Sequence, residues 1–339
     1  MIGKRSIFIH AGLAVTAAVF ALGVWTRDKQ PKALAKGDVT VWQGRPADVE
    51  KLVYEGKKGK RLELSAKKDD LGRYFVGAVE KDKAAPKPAA DPDAGTPEPA
   101  AAEKTITGLV SIGPAEKLFD LLAPLRAIRS VGQVSADREG EFGLAEPEGT
   151  LVLTLKGAEK KLVFGGPTPG GGDRYARDPQ NGEVYVVKSD IFRNVDTPET
   201  SLQERDLHEW KDTEIVTAKL TAGGKTRTIV RGGEGAKRFW AAEAARETPD
   251  ETLGNWMAKV DRLRPTEFPQ AAPEPRETVV RIDYAGSGGP LGYVEVVRGP
   301  AADSGKPQYF VLTERTRLHG KVTGSVGEQV EQDIGTIVQ

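Results

Sequence analysis

IVTAKLTAGGKTRTIVRGGEGAKRFWAAEAARETPDETLGNWMAKVDRL, residues 215–263, changes its hydrophobic period part-way through. Ile215 to Leu220, Thr226 to Arg231 and Arg238 to Ala242 are short runs rich in apolar and β-branched residues, separated by glycine turns. They predict a three-stranded meander. From Pro249 to Leu263 the spacing turns helical, with Leu253, Trp256, Met257, Val260 and Leu263 on one face. A run of strands followed by an amphipathic helix to cover them is an α+β signature.

Working outward, the same order recurs. Downstream, Thr278 to Tyr284, Gly292 to Val297 and Gln308 to Leu312 read as strands, and a helical stretch is expected from Arg315 onward. Upstream, Val49 to Val53, Arg61 to Leu64 and Arg73 to Val79 form another predicted meander. Ile112-Gly113-Pro114 then opens a helix carrying Leu118, Phe119, Leu121, Leu122, Leu125 and Ile128, with Pro124 marking a kink or end. Leu151 to Leu155, Lys161 to Phe164, Arg174 to Arg177 and Glu183 to Val187 give four more strands, and a short helix is expected over Glu199 to Leu207. The expected fold is therefore α+β, with duplicated units of antiparallel meander plus helix over 38–205 and 206–339. An aromatic pair closes each meander, Tyr74-Phe75 and Phe239-Trp240, and both read as core plugs.

Two segments fall outside this pattern. Ala84 to Ala102, AAPKPAADPDAGTPEPAAA, lacks large apolar residues and is expected to be a solvated insertion within 82–104. Ser6 to Thr26 carries no formal charge and follows Lys4 and Arg5. About 20 such residues span a ~30 Å hydrocarbon core. The expectation is a cytoplasmic stub (1–5), a transmembrane helix (6–26), a linker (27–37) and an extracytoplasmic remainder, with Trp25 at the interface. A cleaved signal peptide ending near Val19-Phe20-Ala21 is the competing reading, disfavoured by the length of the run and its bulky end.

Composition narrows the function. Lysine plus arginine and aspartate plus glutamate both number 49, so no global field favours nucleic acid, and the absence of cysteine removes disulfide, thiolate-metal and cysteine-nucleophile chemistry. The glycine-rich stretch GGPTPGGG, 165–172, lacks the Lys-Ser/Thr pair of a phosphate loop and precedes a strand, so it reads as a hairpin loop. His208 and His319 have no acidic or histidine partner at metal-ligand spacing, no G-x-S-x-G occurs, and Asp69-Asp70 and Glu204 with Asp206 read as chance pairs on a charged surface. Neither an enzyme nor a cofactor or metal is expected. Trp42 and Trp210 are the aromatic candidates should the chain instead bind a cell-wall glycan or other ligand, and a hydrolase would need an acid-base cluster gathered in a pocket.

Glu141-Phe142-Gly143-Leu144-Ala145-Glu146-Pro147 is followed by a strand, by Phe164-Gly165-Gly166, by Asp173-Arg174-Tyr175-Ala176-Arg177, by Glu183-Val184-Tyr185-Val186-Val187 and by Leu202 to Leu207. In this order they resemble the bacterial domain of unknown function 4340 family, most clearly over Val131 to Trp210. The motif positions are Phe142, Gly143, Leu144, Pro147, Gly165, Tyr175, Tyr185 and Arg205, and each reads as structural. The resemblance implies an auxiliary subunit of an ABC-type transporter or gliding-type system in the bacterial inner membrane, partnered by membrane proteins.

Overall fold

The computed structural model describes residues 38–83, 104–302 and 304–339. The expected transmembrane helix over 6–26 and the whole of the Pro/Ala tract, Ala84 to Ala102, lie outside them. Among the described residues no helix is long and apolar enough to cross a membrane.

Thr40 to Gln339 forms one compact unit built on two large antiparallel sheets. The first uses β2 (Val49–Gly56), β3 (Arg61–Asp69), β4 (Gly72–Asp82), β5 (Lys104–Ser111), β7 (Arg129–Gln133), β8 (Gly149–Leu155), β9 (Ala158–Pro167), β10 (Arg174–Arg177) and β11 (Glu183–Val187). Its order is β5-β4-β3-β2-β8-β9-β10-β11-β7. A small pair, β1 (Val39–Trp42) with β6 (Leu125–Ala127), stands apart. Alternation sets the buried face: in β8, Gly149, Leu151, Leu153 and Leu155 point inward. Helix α1 (Gly113–Leu122) lays Ala115, Leu118, Phe119 and Leu122 toward the core, where Phe75 meets Phe119 at 4.6 Å between ring centroids. Two short helices follow β11: α2 (Ser189–Asp196), which packs Phe192 on Phe164 at 5.3 Å, and α3 (Pro198–Ser201).

The second sheet comprises β12 (Thr217–Ala222), β13 (Lys225–Gly232), β14 (Phe239–Ala242), β15 (Glu277–Gly286), β16 (Gly289–Ala301), β17 (Pro307–Thr313) and β18 (Gly320–Val322), in the order β14-β13-β12-β15-β16-β17-β18. With the first sheet read from β4 to β11, the two orders correspond strand for strand. One face is covered by α4 (Glu251–Val260) and α5 (Gly324–Ile337). Asp250 caps α4 by accepting the Leu253 amide at 2.9 Å, and Trp256 Nε1 donates to the Val330 carbonyl of α5 at 3.0 Å.

Several expected elements need correction. Of the two outcomes expected at Pro124, a kink or an end, the structure has the end: the first helix stops at Leu122, because Pro124 has no amide to donate and its ring clashes with a preceding turn, so Leu125 enters β6 and Ile128 lies outside the helix. Strand β5 is an addition to the expected set, since KTITGLVS adjoins the proline tract and shows little alternation. It makes that tract a hairpin connection, for Asp82 pairs with Lys104. The helix expected over Glu199 to Leu207 lies earlier, at α2 and α3, and the one expected from Arg315 starts at Gly324, after β18. Of the aromatic pairs, Phe75 and Trp240 are buried, whereas Tyr74 and Phe239 alternate to a half-buried face.

The sheets are joined by specific contacts. Thr266 and Glu267 run beside Lys321, with Thr266 N donating to the Lys321 carbonyl at 2.7 Å and Lys321 N to the Glu267 carbonyl at 2.8 Å; one residue on, Phe268 N donates to the Gly108 carbonyl of β5 at 3.2 Å. Gly108 is required there, since a Cβ would stand 1.8 Å from the Phe268 carbonyl oxygen. Glu204, only 1 % exposed, accepts from Arg315 Nη2 at 3.2 Å, Gly113 N at 3.2 Å and Asp206 N at 3.1 Å, while its own amide donates to Val110. Asp69 accepts from Arg317 Nε at 2.6 Å and Nη2 at 3.2 Å. The carboxylates Asp69 and Glu204, expected as incidental surface charge, are thus ties between distant segments, a role that only tertiary contacts reveal.

Candidate functional site

The segment from Leu207 to Ile215 is pinned at both ends by burial of those two side chains in the second core, which fixes the intervening residues along the sheet. Here His208, Trp210 and Asp212 meet Arg231 of β13, Tyr284 of β15 and Asp261 just beyond α4, around a cleft of about 530 Å³. A neighbouring depression of about 410 Å³ shares Arg231 and Asp261 and continues past Trp240 along α4.

Glu314 organises one wall. Its Oε1 lies 2.7 Å from His208 Nδ1 and accepts from Trp210 Nε1 at 3.1 Å, and its Oε2 accepts from the Tyr293 amide at 2.8 Å. A carboxylate can only accept, so the His208 proton is assigned to Nδ1, leaving Nε2 as the ring's remaining nitrogen. The His208 and Trp210 rings stack at 3.9 Å with 23° between planes, and Tyr284 packs 4.9 Å from Trp210. Gly292 makes room for this arrangement, for a Cβ would lie 2.2 Å from the Glu314 carboxyl carbon.

The opposite wall is ionic. Arg231 pairs with Asp212 and lies over the Trp240 ring at 4.3 Å. Arg264 Nη1 donates to the Asp261 and Leu263 carbonyls at 2.8 and 2.6 Å. Asp261 is crowded on the protein side but open to solvent at the cleft mouth. Burial raises its carboxyl above the usual carboxylate range and the charge of Asp212 adds to this, while Arg231, Arg264 and His208 oppose. The Tyr284 phenol is pushed up chiefly by burial.

This lining can bind and orient polar groups and can offer His208 as a base, but it contains no serine, threonine or cysteine to act as a nucleophile. Among the described residues no cluster of three or more His, Asp or Glu could hold a metal. The two expected aromatic candidates part company. Trp210 lines the cleft, whereas Trp42 is 6 % exposed and donates its Nε1 to the Leu122 carbonyl at 2.7 Å, so it is structural.

The motif residues gather elsewhere, mainly on the outer face of β9 to β11. Gly143 adopts φ +65° at the end of a 3-10 turn over Ala136–Phe142, and a Cβ there would lie 2.5 Å from the Gly166 amide. Gly165 closes on the same turn, with a Cβ site 2.3 Å from the Phe142 carbonyl. Leu144 and Tyr175 share a small apolar cluster with Val184 and Val186, and Phe142 meets Tyr175 edge-on at 4.9 Å. Tyr185 points to the other face and donates to Glu183 at 2.7 Å. Pro147 and Arg205 are exposed; in the Leu202 to Leu207 segment it is Glu204, not Arg205, that is buried. Glu314, Asp261 and Arg231 join the site only through the fold, for no local spacing marks them in the sequence.

A family model described as Domain of unknown function (DUF4340) matches residues 114–278. That segment belongs to the DUF4340 family. The match runs from α1 to the start of β15, so the DUF4340 segment contains the motif turn, Glu204 and the cleft residues from Asp206 to Arg264, while Tyr284 and Glu314 come from beyond it. No curated protein and no solved structure matches the chain.

Proposed function

We propose that the chain is a membrane-tethered, non-catalytic subunit of a bacterial envelope complex, with its sheets outside the cytoplasm and its partners among the membrane proteins of an ABC-type transporter or gliding-type system. The observation that carries this reading is the uncharged run Ser6 to Thr26 between Lys4-Arg5 and Arg27, long enough to span a ~30 Å core. Support for a non-catalytic role comes from how polar groups are used: both Glu314 oxygens accept bonds from within the protein, bracing His208, Trp210 and Tyr293. Support for partner docking comes from β7, a largely exposed strand that ends the nine-stranded sheet and offers unpaired backbone groups. The matching strand orders of the two sheets are consistent with an internal duplication.

A periplasm-active reporter fused after Gln339 tests the topology. Activity, with the fusion retained in membranes through an alkaline wash, is the expected result; an inactive reporter or complete release by the wash contradicts it. Trp210 at the mouth of a polar cleft favours a second reading, that of a ligand-binding module, which is compatible with tethering.

A further inference from the structure

Among the described residues the chain passes from one sheet to the other once, through Gln203 to Asp206, which carry neither helix nor strand. Leu202 before them is fully buried, and Leu207 after them opens the second core. That core extends to Val338 and takes no residue of the first sheet, while the small cluster around Tyr175 takes none of the second. Separate cores on either side of a short irregular connection are the anatomy of two lobes on a hinge.

The contacts between the lobes are graded along the edge of β5. Val110 accepts from the Glu204 amide, Gly108 accepts from the Phe268 amide at 3.2 Å, and Ile106 beyond them is 50 % exposed. Asp69, which holds Arg317, lies toward the Val110 end, because Ala66, Phe75 and Ser111 form one row across β3, β4 and β5. Arg61, Glu80 and Ile106 form the row at the other end, and a cavity of about 310 Å³ that reaches this row sets Arg61 and Glu80 against Phe268, Pro269 and Leu318. One end is thus tied by two ion pairs, and the other is held by the buried Phe268. Around the tied end, Gln203 is 3 % exposed yet makes no hydrogen bond through either side-chain amide atom, and neither do the buried Ser111 hydroxyl and Arg315 Nε. Polar atoms buried without partners penalise the arrangement that buries them and gain partners in one that admits water, so the closed form is favoured by a narrow margin.

We propose that the two sheets form a clamp that pivots at Gln203 to Asp206, with Phe268 as its latch, and that the seam opens from the Ile106 end. Turning keeps the Glu204 and Asp69 ties, which lie near the pivot, releases Phe268 from Gly108, and admits water to Gln203 and Ser111. The inference stands apart from membrane tethering, because every group in it belongs to the folded sheets.

Pulsed electron resonance distances in the full-length protein, held in nanodiscs of zwitterionic lipid, test it. The chain has no cysteine, so Lys57→Cys paired with Ser287→Cys reports between the sheets, Lys57→Cys with Gln180→Cys within the first, and Lys225→Cys with Ser287→Cys within the second, all at exposed positions. Each pair within a sheet should give one distance, and the pair between sheets two, the second being minor. Phe268→Ala should raise the minor population about ten-fold, and Gln203→Met, which removes the orphaned amide, should abolish it while keeping or raising the melting temperature. Should Phe268→Ala not fold, Phe268→Leu, which keeps an apolar but smaller side chain, carries the same comparison. A single distance between the sheets that the Phe268 variants leave unchanged, a spread within each sheet equal to that between them, or a minor population unmoved by Gln203→Met would overturn the proposal.

Discussion

Replacing Glu204 with alanine should uncouple the two sheets. Glu204 is 1 % exposed, and its side chain ties Arg315, from the loop after β17, to the Gly113 and Asp206 amides; its own amide is bonded to Val110 of β5. Truncation leaves the Arg315 guanidinium, whose side chain is 12 % exposed, without its carboxylate, and leaves two amides without an acceptor. Breaking one side of a buried pair costs about 3–5 kcal/mol, several times the roughly 0–1 kcal/mol of a surface ion pair. Glu204→Gln, which keeps one carbonyl oxygen, should cost about 1–3 kcal/mol. The double variant Glu204→Leu/Arg315→Met removes both charges and should recover most of the Glu204→Ala loss. Urea unfolding of the full-length protein in detergent, followed by tryptophan fluorescence, measures each. In Glu204→Ala the single transition should also broaden or split, since the pair spans both sheets. A loss under about 1 kcal/mol, or a double variant no more stable than Glu204→Ala, would refute the argument.

Gly108→Val should destabilise by about 1–3 kcal/mol or prevent folding, because its Cβ would collide with the Phe268 carbonyl oxygen at 1.8 Å; thermal melts check this. Gly335→Ala, inside α5 with open space where the added methyl would sit, should instead raise stability by about 0.5–1 kcal/mol in the same assay. His208→Gln/His319→Gln should leave complementation of a deletion strain intact, and loss of complementation by a folded variant would return acid-base chemistry to consideration. Because the Asp261 carboxyl is raised in the fold, its contribution is present below its unfolded value and lost as pH rises through the folded one. Asp261→Asn should therefore flatten the fall in stability over that acidic window, read from melts across pH. Deleting 84–103 and closing the hairpin with a short glycine turn should change stability by less than about 2 kcal/mol, the scale of burying one large side chain.

Strands are legible in the sequence where alternation reports burial over a long enough run: Leu151, Leu153 and Leu155 mark β8 without any tertiary information, whereas the three-residue strands β6 and β18 are absorbed into expected helical stretches. Helix α4 is legible for the same reason at a different period. Strand β5 is not, since its inward residues crowd into its last half and its first half carries threonine and an exposed Ile106 beside the proline tract. The motif turn is readable because Gly143 needs φ +65° and Gly165 needs close backbone approach, constraints that belong to glycine alone. The cleft is not readable. Glu314 reaches His208 across 106 positions of sequence, and Asp261 meets the charges of Asp212, Arg231 and Arg264 only once the chain has folded. Glu204 misleads on similar grounds, since a carboxylate flanked by charged residues looks solvated until the second sheet closes over it.

The central claim, a tethered subunit acting through partners, is tested most directly by cross-linking in native membranes followed by affinity purification of the full-length protein, beside a variant in which Met1 to Arg27 is replaced by a cleaved export signal. The full-length protein should recover a defined set of membrane proteins in near-stoichiometric amount, and the released variant should recover them at least ten-fold less while remaining folded. Equal function and equal recovery from the released variant, or purification of an active monomer with no membrane partner, would contradict the account.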